Sequence, residues 1–181
     1  MKPQDFVSHY LAFAKQTETK TGISAIAILA QAALESGWGE KAPGNMFFGV
    51  KDFDGLNGNE QLLTTFEYSR RNNLTPKQIG LETITAITPV MIKGEKFFKY
   101  TGQAYFRKYA TPEESFTDHA RVFLTTKLPN GTLRYQKALD VKSDPVKFVH
   151  EVAAAGYAQS PTYGDTLASI ITTLQKYVPA S

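Results

Sequence analysis

The sequence has no cysteine. That excludes disulfide staples, zinc–thiolate sites, iron–sulfur clusters and thiol nucleophiles. Long hydrophobic runs are missing too. The longest nearly apolar stretch, Ile23 to Leu34, is 12 residues and is broken by Ser24 and Gln31, whereas a membrane span needs about 18 or more. The opening residues Met1-Lys2-Pro3-Gln4-Asp5 turn polar at once, so no Sec-type export signal is legible. There is no phosphate-cradling glycine loop and no Gly-x-Ser-x-Gly elbow. Charge of one sign is also scarce: 20 Lys+Arg stand against 17 Asp+Glu, a net +3. The basic residues are scattered, with Arg70-Arg71 the only Arg pair, so no nucleic-acid partner is expected. A pI near 9.0 suits an anionic partner, a bacterial wall polymer among them, without choosing one.

What is present describes an ordinary globular chain. At 181 residues and 42% hydrophobic, it fits a single domain of two lobes that buries roughly 70% of its unfolded surface. Residues 1 to about 43 read as helix, with Phe6, Tyr10, Phe13 and Ala14 on one face and a break at Gly22. Ser24 is placed to cap a second helix whose residues Ala27 to Ala33 leave almost no polar face, the mark of a central helix. It should end at Gly37-Trp38-Gly39, where glycines take left-handed caps. Residues 44–109 carry seven glycines among aromatic and β-branched runs, which reads as a strand-and-turn lobe. Helix returns over 110–181. Thr111-Pro112-Glu113-Glu114 has the form of a capping box, and Asp144-Pro145 opens a further helix ending at Gly156. A last helix runs from about Tyr163 to Lys176, with Leu167, Ile170, Ile171 and Leu174 inward. The expectation is α+β, mainly helical, with an inserted small β-lobe and a cleft between the two.

Glu35 does not fit its surroundings. It falls in the last turn of the most apolar helix. Partial burial and the negative end of the helix dipole would both disfavour its carboxylate. A carboxyl kept protonated near neutral pH can act as general acid toward a glycosidic oxygen. The bland alternative is a surface glutamate at a frayed helix end.

The context decides between them. Ala30-Gln31-Ala32-Ala33-Leu34-Glu35-Ser36-Gly37-Trp38-Gly39 is followed by Asn45-Met46-Phe47-Phe48-Gly49-Val50-Lys51. Tyr109 through His119, then Arg134-Tyr135, then Ala155 through Tyr163 follow in order. These blocks resemble glycoside hydrolase family 73, the N-acetylglucosaminidases that include flagellar-rod peptidoglycan hydrolases and many autolysins. The resemblance spans about residues 24–175. It implies a lysozyme-like α+β fold, cleavage of the β-1,4 bond after N-acetylglucosamine in peptidoglycan glycan strands, action at the bacterial wall, and no cofactor or metal. It also implies that Glu35 is the general acid and that Tyr157 lies near the active site, orienting a 2-acetamido group or an attacking water.

A second carboxylate is less fixed. Thr64-Thr65-Phe66-Glu67-Tyr68 looks most like the family strand that carries one, and strand alternation puts Leu63, Thr65 and Glu67 on one face. Glu67 is then expected to point into the cleft while Phe66 anchors the lobe; Glu60, Glu82 and Glu95 are rivals. Between Glu67 and Tyr109 lie 41 residues, 68–108, more than a simple hairpin return needs. Arg70 to Val90 is therefore expected to be an additional element.

Sugars present apolar faces rimmed by hydroxyls, so a cleft needs aromatics and amides. Trp38, Asn45, Phe48 and Tyr163 are candidates to bind substrate. Each has a structural alternative: a helix-end wedge, a turn former, a packed ring and helix-entry packing, respectively. His9, His119 and His150 lack metal-ligand spacing, and a structural hydrogen bond is the expected role at Asp118-His119. A lytic transglycosylase leaving 1,6-anhydro ends and a non-catalytic wall-binding module are the alternative functions. Nothing in the chain designates an immunity or delivery partner.

Overall fold

The computed structural model describes residues 1–179. Within them the chain forms two compact units: residues 1–48 together with those from Tyr109 onward, and Gly49–Lys108.

The helical unit is built on α1 (Pro3–Thr21) and α2 (Ala25–Ser36), followed after the β-unit by α4 (Pro112–Thr125), α5 (Gln136–Asp140), α6 (Pro145–Ala154) and α7 (Tyr163–Gln175). α2 is its axis. Nine of its twelve residues are buried, and α1, α4, α6 and α7 all pack on it. A helix of Ala, Ile and Leu on every face has no stable alternative to the centre of a bundle. The core around it includes Phe6, Phe116, Phe123, Phe148, Leu167, Ile171 and Leu174, each at most 1% exposed.

Two helix starts follow their sequence signals. The Thr111 side chain accepts the Glu114 N–H at 3.3 Å, and the Asp144 side chain accepts from Lys147 N–H. The capping box at Thr111 is altered. Glu114 reaches back to the Ala110 N–H at 2.9 Å, one residue beyond the cap itself. Ser24 stands at the N-cap of α2 but makes no side-chain cap bond; it is buried, and its N–H donates to Lys142 O instead. α5, a single short helix, went unread in the sequence.

The β-unit is a three-stranded antiparallel sheet of β1 (Glu60–Ser69), β2 (Thr83–Ile92) and β3 (Glu95–Arg107), in the order β1-β3-β2. The additional element expected between Arg70 and Val90 is the short α3 (Pro76–Ile79) and most of β2. β3 is central because its partners register on both sides, Glu67 and Ile87 both lying opposite Tyr100. At Gly102 a Cβ would lie 1.9 Å from the Thr83 carbonyl oxygen, so only glycine fits beside the bulge at Ile84/Ala86. Tyr100 is fully buried; it donates to Arg71 O at 2.7 Å and accepts from Leu74 N–H at 3.1 Å. These bonds draw the 71–74 loop to the Tyr100 side of the sheet.

Strand alternation in β1 is as expected, but its sense is not. Phe66 and Tyr68, 49% and 45% exposed, lie on the open face. Phe66 does not anchor the unit. Its ring carries the Lys99 ammonium 4.2 Å above it. Among the described residues no helix is long and apolar enough to cross a membrane.

Candidate active site

The site starts from how α2 stops. Gly37, Trp38 and Gly39 all take positive φ (57°, 60° and 80°), so the chain leaves the helix in a tight left-handed turn. The Trp38 N–H donates to Ala33 O at 2.8 Å, and the Gly39 N–H to Ser36 Oγ at 2.8 Å. A left-handed backbone is costly for a tryptophan. Its indole packs edge-on against Phe6, centroids 5.6 Å apart, and that contact holds it there. Glu35, one residue before the helix end, is exposed in the last turn.

Exposure does not leave the Glu35 carboxyl in bulk-like surroundings. Neighbouring protein atoms strip enough water from it that desolvation raises its pKa above the ordinary carboxylate value, while a hydrogen bond from Tyr163 pulls partly the other way. Its place at the C-terminal, negative pole of α2 acts in the same direction as desolvation. A group that is reachable and still disfavours ionisation meets both requirements of a general acid.

The hydrogen bond comes from a short relay. Tyr163, at the start of α7, is 6% exposed. Its hydroxyl donates to Glu35 Oε1 at 3.5 Å and accepts from Gln31 Nε2 at 3.4 Å. Gln31 is 1% exposed and precedes Glu35 by one helical turn, so both project from the same side of α2. The one amide in an apolar helix therefore has its partner. The Tyr157 ring lies 5.5 Å from that of Tyr163 at 32°, and edge contacts to His119 and Tyr135 and a tilted one to Phe123 hold it. Desolvation, with the charges of Tyr163 and Glu35, drives the Tyr157 phenol above the usual tyrosine value, and burial does the same to Tyr163. Both remain neutral hydroxyls able to donate. Gly156, at φ 77°, turns the chain just before Tyr157. The Arg134 guanidinium clamps that turn by donating to Ala155 O at 3.0 Å and Gly156 O at 2.8 Å.

Glu35, Tyr157 and Tyr163 are thus brought together. Phe48 and Asn45, in the same unit, are engaged in packing and in backbone hydrogen bonds. Phe48 is a core residue, 5% exposed, stacked on His119 with centroids 3.6 Å apart at 8°; packing occupies the face a sugar would use. Phe47 is buried beside it. Asn45 lies in a 3-10 turn (Pro43–Asn45), and its amide donates to Tyr109 O at 3.0 Å and Ala110 O at 3.2 Å. That stitches the two chain segments of the helical unit together and spends the N–H groups on structure. Tyr109 donates to Asp118 Oδ2 at 2.7 Å, the structural bond expected there. His119 is buried, and desolvation lowers its pKa to about 3, with Asp118 opposing; it is a neutral ring in the wall behind Tyr157.

Glu67 belongs to the β-unit and is engaged within it. Its carboxylate pairs with Lys51, which also donates to Gly80 O at 2.9 Å. Of its rivals, Glu60 accepts the Asn57 and Gly58 N–H groups at 3.0 and 2.8 Å, and Glu95 pairs with Arg70. Gln31 and Arg134 were missed as contributors. Gln31 was legible as the lone amide interrupting an apolar helix. Arg134 sat within a resemblance block, but its carbonyl partners lie 21 and 22 residues away.

A helical unit whose most buried helix ends in a crowded carboxyl, interrupted in the chain by a small antiparallel sheet, defines the lysozyme-like α+β class of glycoside hydrolase domains. The chain belongs to the glucosaminidase family. The family model described as mannosyl-glycoprotein endo-beta-N-acetylglucosaminidase matches residues 11–176, which bears out the family and the fold class read from the sequence. The chain is similar to the peptidoglycan hydrolase FlgJ of Pseudomonas aeruginosa, 30% identical over 96% of this chain and 37% of that protein. To FlgJ of Vibrio cholerae it is 32% identical over 88% of this chain and 40% of that one. It spans less than half the length of these curated relatives. The solved glycoside hydrolase domain of Salmonella typhimurium FlgJ superposes with a TM-score of 0.66 at 26% identity, covering 97% of this chain and 99% of that one.

Proposed function

We propose that this chain is a peptidoglycan hydrolase that cleaves the β-1,4 bond after N-acetylglucosamine in glycan strands at the bacterial cell wall, with Glu35 as general acid. The observation that carries the reading is the Glu35 carboxyl: accessible at a helix end, raised in pKa by desolvation, and hydrogen-bonded by a buried tyrosine. In the reaction Glu35 gives its proton to the bridging oxygen as the bond to the anomeric carbon breaks. Tyr157 and Tyr163, neutral throughout, hold the reacting sugar and the acid in place, and Trp38 offers an aromatic surface beside the acid.

Activation of water has two routes. In one, the substrate's own acetamido oxygen attacks the anomeric carbon, steered by Tyr157, and water opens the resulting ring with retention. In the other, Glu67 serves as base and the product inverts, which calls for carboxyl groups about 6.5–9.5 Å apart. The Lys51 ion pair favours the first route, because Glu67 has to leave a cation before it can take a proton.

Digestion of purified sacculi, read by mass spectrometry and by an anomeric NMR time course, tests the proposal. Reducing N-acetylglucosamine ends, β at first, are expected. Anhydro-muramic ends would replace hydrolysis by transglycosylation, and early α product would replace retention by inversion. No release from wild type, with binding to sacculi equal in wild type and Glu35→Gln, would reduce the chain to a wall-binding module.

A further inference from the structure

The β-unit holds a cavity of about 640 Å³ that the proposed reaction does not use. Its wall is built largely from the additional element, through Lys77, Leu81 and Glu82, and closed by Phe53 and by Tyr105 of β3. A second recess of about 450 Å³ shares Phe53, Glu82 and Tyr105 with it and runs on to Leu56. Together they form a groove several residues of an extended ligand could follow.

The charges in this groove divide into two kinds. Lys51 is committed to Glu67 and Gly80 O, and Asp52 faces Arg107 at 3.8 Å. Lys77 and Glu82 are different. Both are exposed, and among the described residues neither side chain has a hydrogen-bond or ion-pair partner, nor do they pair with each other. One wall therefore offers a free ammonium and a free carboxylate to the same space. Beside them, Phe53 and Leu56 leave large apolar side chains 82% and 71% exposed at the rim. A neutral sugar gives such a pair of opposite charges nothing to neutralise, and a polyanion would be repelled by Glu82. The complementary ligand carries an amine and a carboxylate on a short, partly apolar backbone.

We propose that this groove binds a zwitterionic peptide, its C-terminal carboxylate on Lys77, a side-chain amine on Glu82 and an apolar side chain against Phe53. The identity of that peptide as the stem peptide of the wall rests on the peptidoglycan reading above; the chemical class does not. The groove would then make the enzyme prefer glycan that bears peptides.

The test uses the whole chain, 15N-labelled, titrated with synthetic stem peptide acetylated at its N-terminus, as the glycan acylates it in the wall, and free at its side-chain amine and C-terminus. Controls are the same peptide with its side-chain amine acetylated, with its C-terminus amidated, and with both blocked, and a neutral chitooligosaccharide. Saturable shifts at Lys77, Glu82 and Tyr105 are expected. Blocking either the side-chain amine or the C-terminal carboxylate, or introducing Lys77→Met or Glu82→Gln, should weaken binding about tenfold, the loss of one charge-assisted contact. In turnover, both variants should raise KM several-fold on intact sacculi and leave kcat/KM unchanged on peptide-stripped glycan. Shifts absent from the groove, equal binding of the doubly blocked peptide or the chitooligosaccharide, or variants that bind as wild type does would overturn the proposal. The titration needs no turnover. A chain that cleaves no glycan would sink the hydrolase reading while leaving the groove decided on its own result.

Discussion

The chemistry of single residues here turns on hydration. Glu35 is reachable from solvent yet short of water around its carboxyl, so the protonated form persists to higher pH than in an ordinary glutamate. Two outcomes follow with opposite signs. Glu35→Gln should cut glycan cleavage by about 10²–10⁴-fold, the usual contribution of a general acid. The same change should raise Tm at neutral pH, because an acid with a raised folded-state pKa opposes folding once it ionises; thermal melts of the two proteins at pH 7 check it. Tyr163→Phe removes the hydrogen bond that favours the carboxylate. The alkaline limb of the pH–rate profile should then move to higher pH, and a limb that stays put or moves down would show that the tyrosine does not tune the acid.

At the scale of elements, α2 sets the frame on which the acid is mounted. Leu29 is fully buried in it, and Leu29→Ala should destabilise by about 2–5 kcal/mol through lost burial and a cavity. Leu62, 43% exposed on β1, should tolerate the same change within about 0.5 kcal/mol; denaturant midpoints of the two variants measure the contrast. Helix ends were the most legible features of the sequence. The glycines after α2, the Thr111 cap and the Asp144 cap each act over three or four residues, within reach of local reading. The β-unit was legible as strand and turn, but not as an order. β3 is the middle strand only because residues 60–69 and 83–92 both find it, and nothing local to any one strand states that. The sense of β1 failed for the same reason. Alternation puts Glu67 and Phe66 on opposite faces but does not say which face is covered, and the open one carries Phe66.

For the molecule as a whole, the least expected property is its response to acid. His119 is buried against Phe48 and titrates near 3 in the folded state, far below the ordinary histidine value of about 6.5. Between those values the unfolded chain binds a proton that the folded one refuses. Stability from this ring is therefore complete above about pH 6.5 and declines as the pH falls toward 3, by roughly 1 kcal/mol per pH unit. Glu113 adds to the loss. Desolvation pushes its pKa up, but hydrogen bonds from Thr117 and Lys20 outweigh that and leave it lowered, so its contribution is lost as pH drops through the depressed value. His119→Phe keeps the stacked ring and removes the titration. Urea midpoints measured from pH 7 to pH 4 should fall less steeply in that variant than in wild type.

The sequence by itself determined what depends on neighbours along the chain. It placed an apolar helix that has to be central and a glycine turn that ends it with a glutamate at its lip, and it carried the ordered blocks that mark the family. Tertiary structure alone decided how that glutamate is held. Tyr163 reaches it from 128 positions away, and Gln31 acquires a role only once Tyr163 arrives. Glu67, the candidate second carboxylate, acquires its partner Lys51 from 16 positions earlier. Caps and periodicity are properties of short segments; desolvation and ion pairing belong to whatever the folded chain brings alongside, and no local pattern encodes that company.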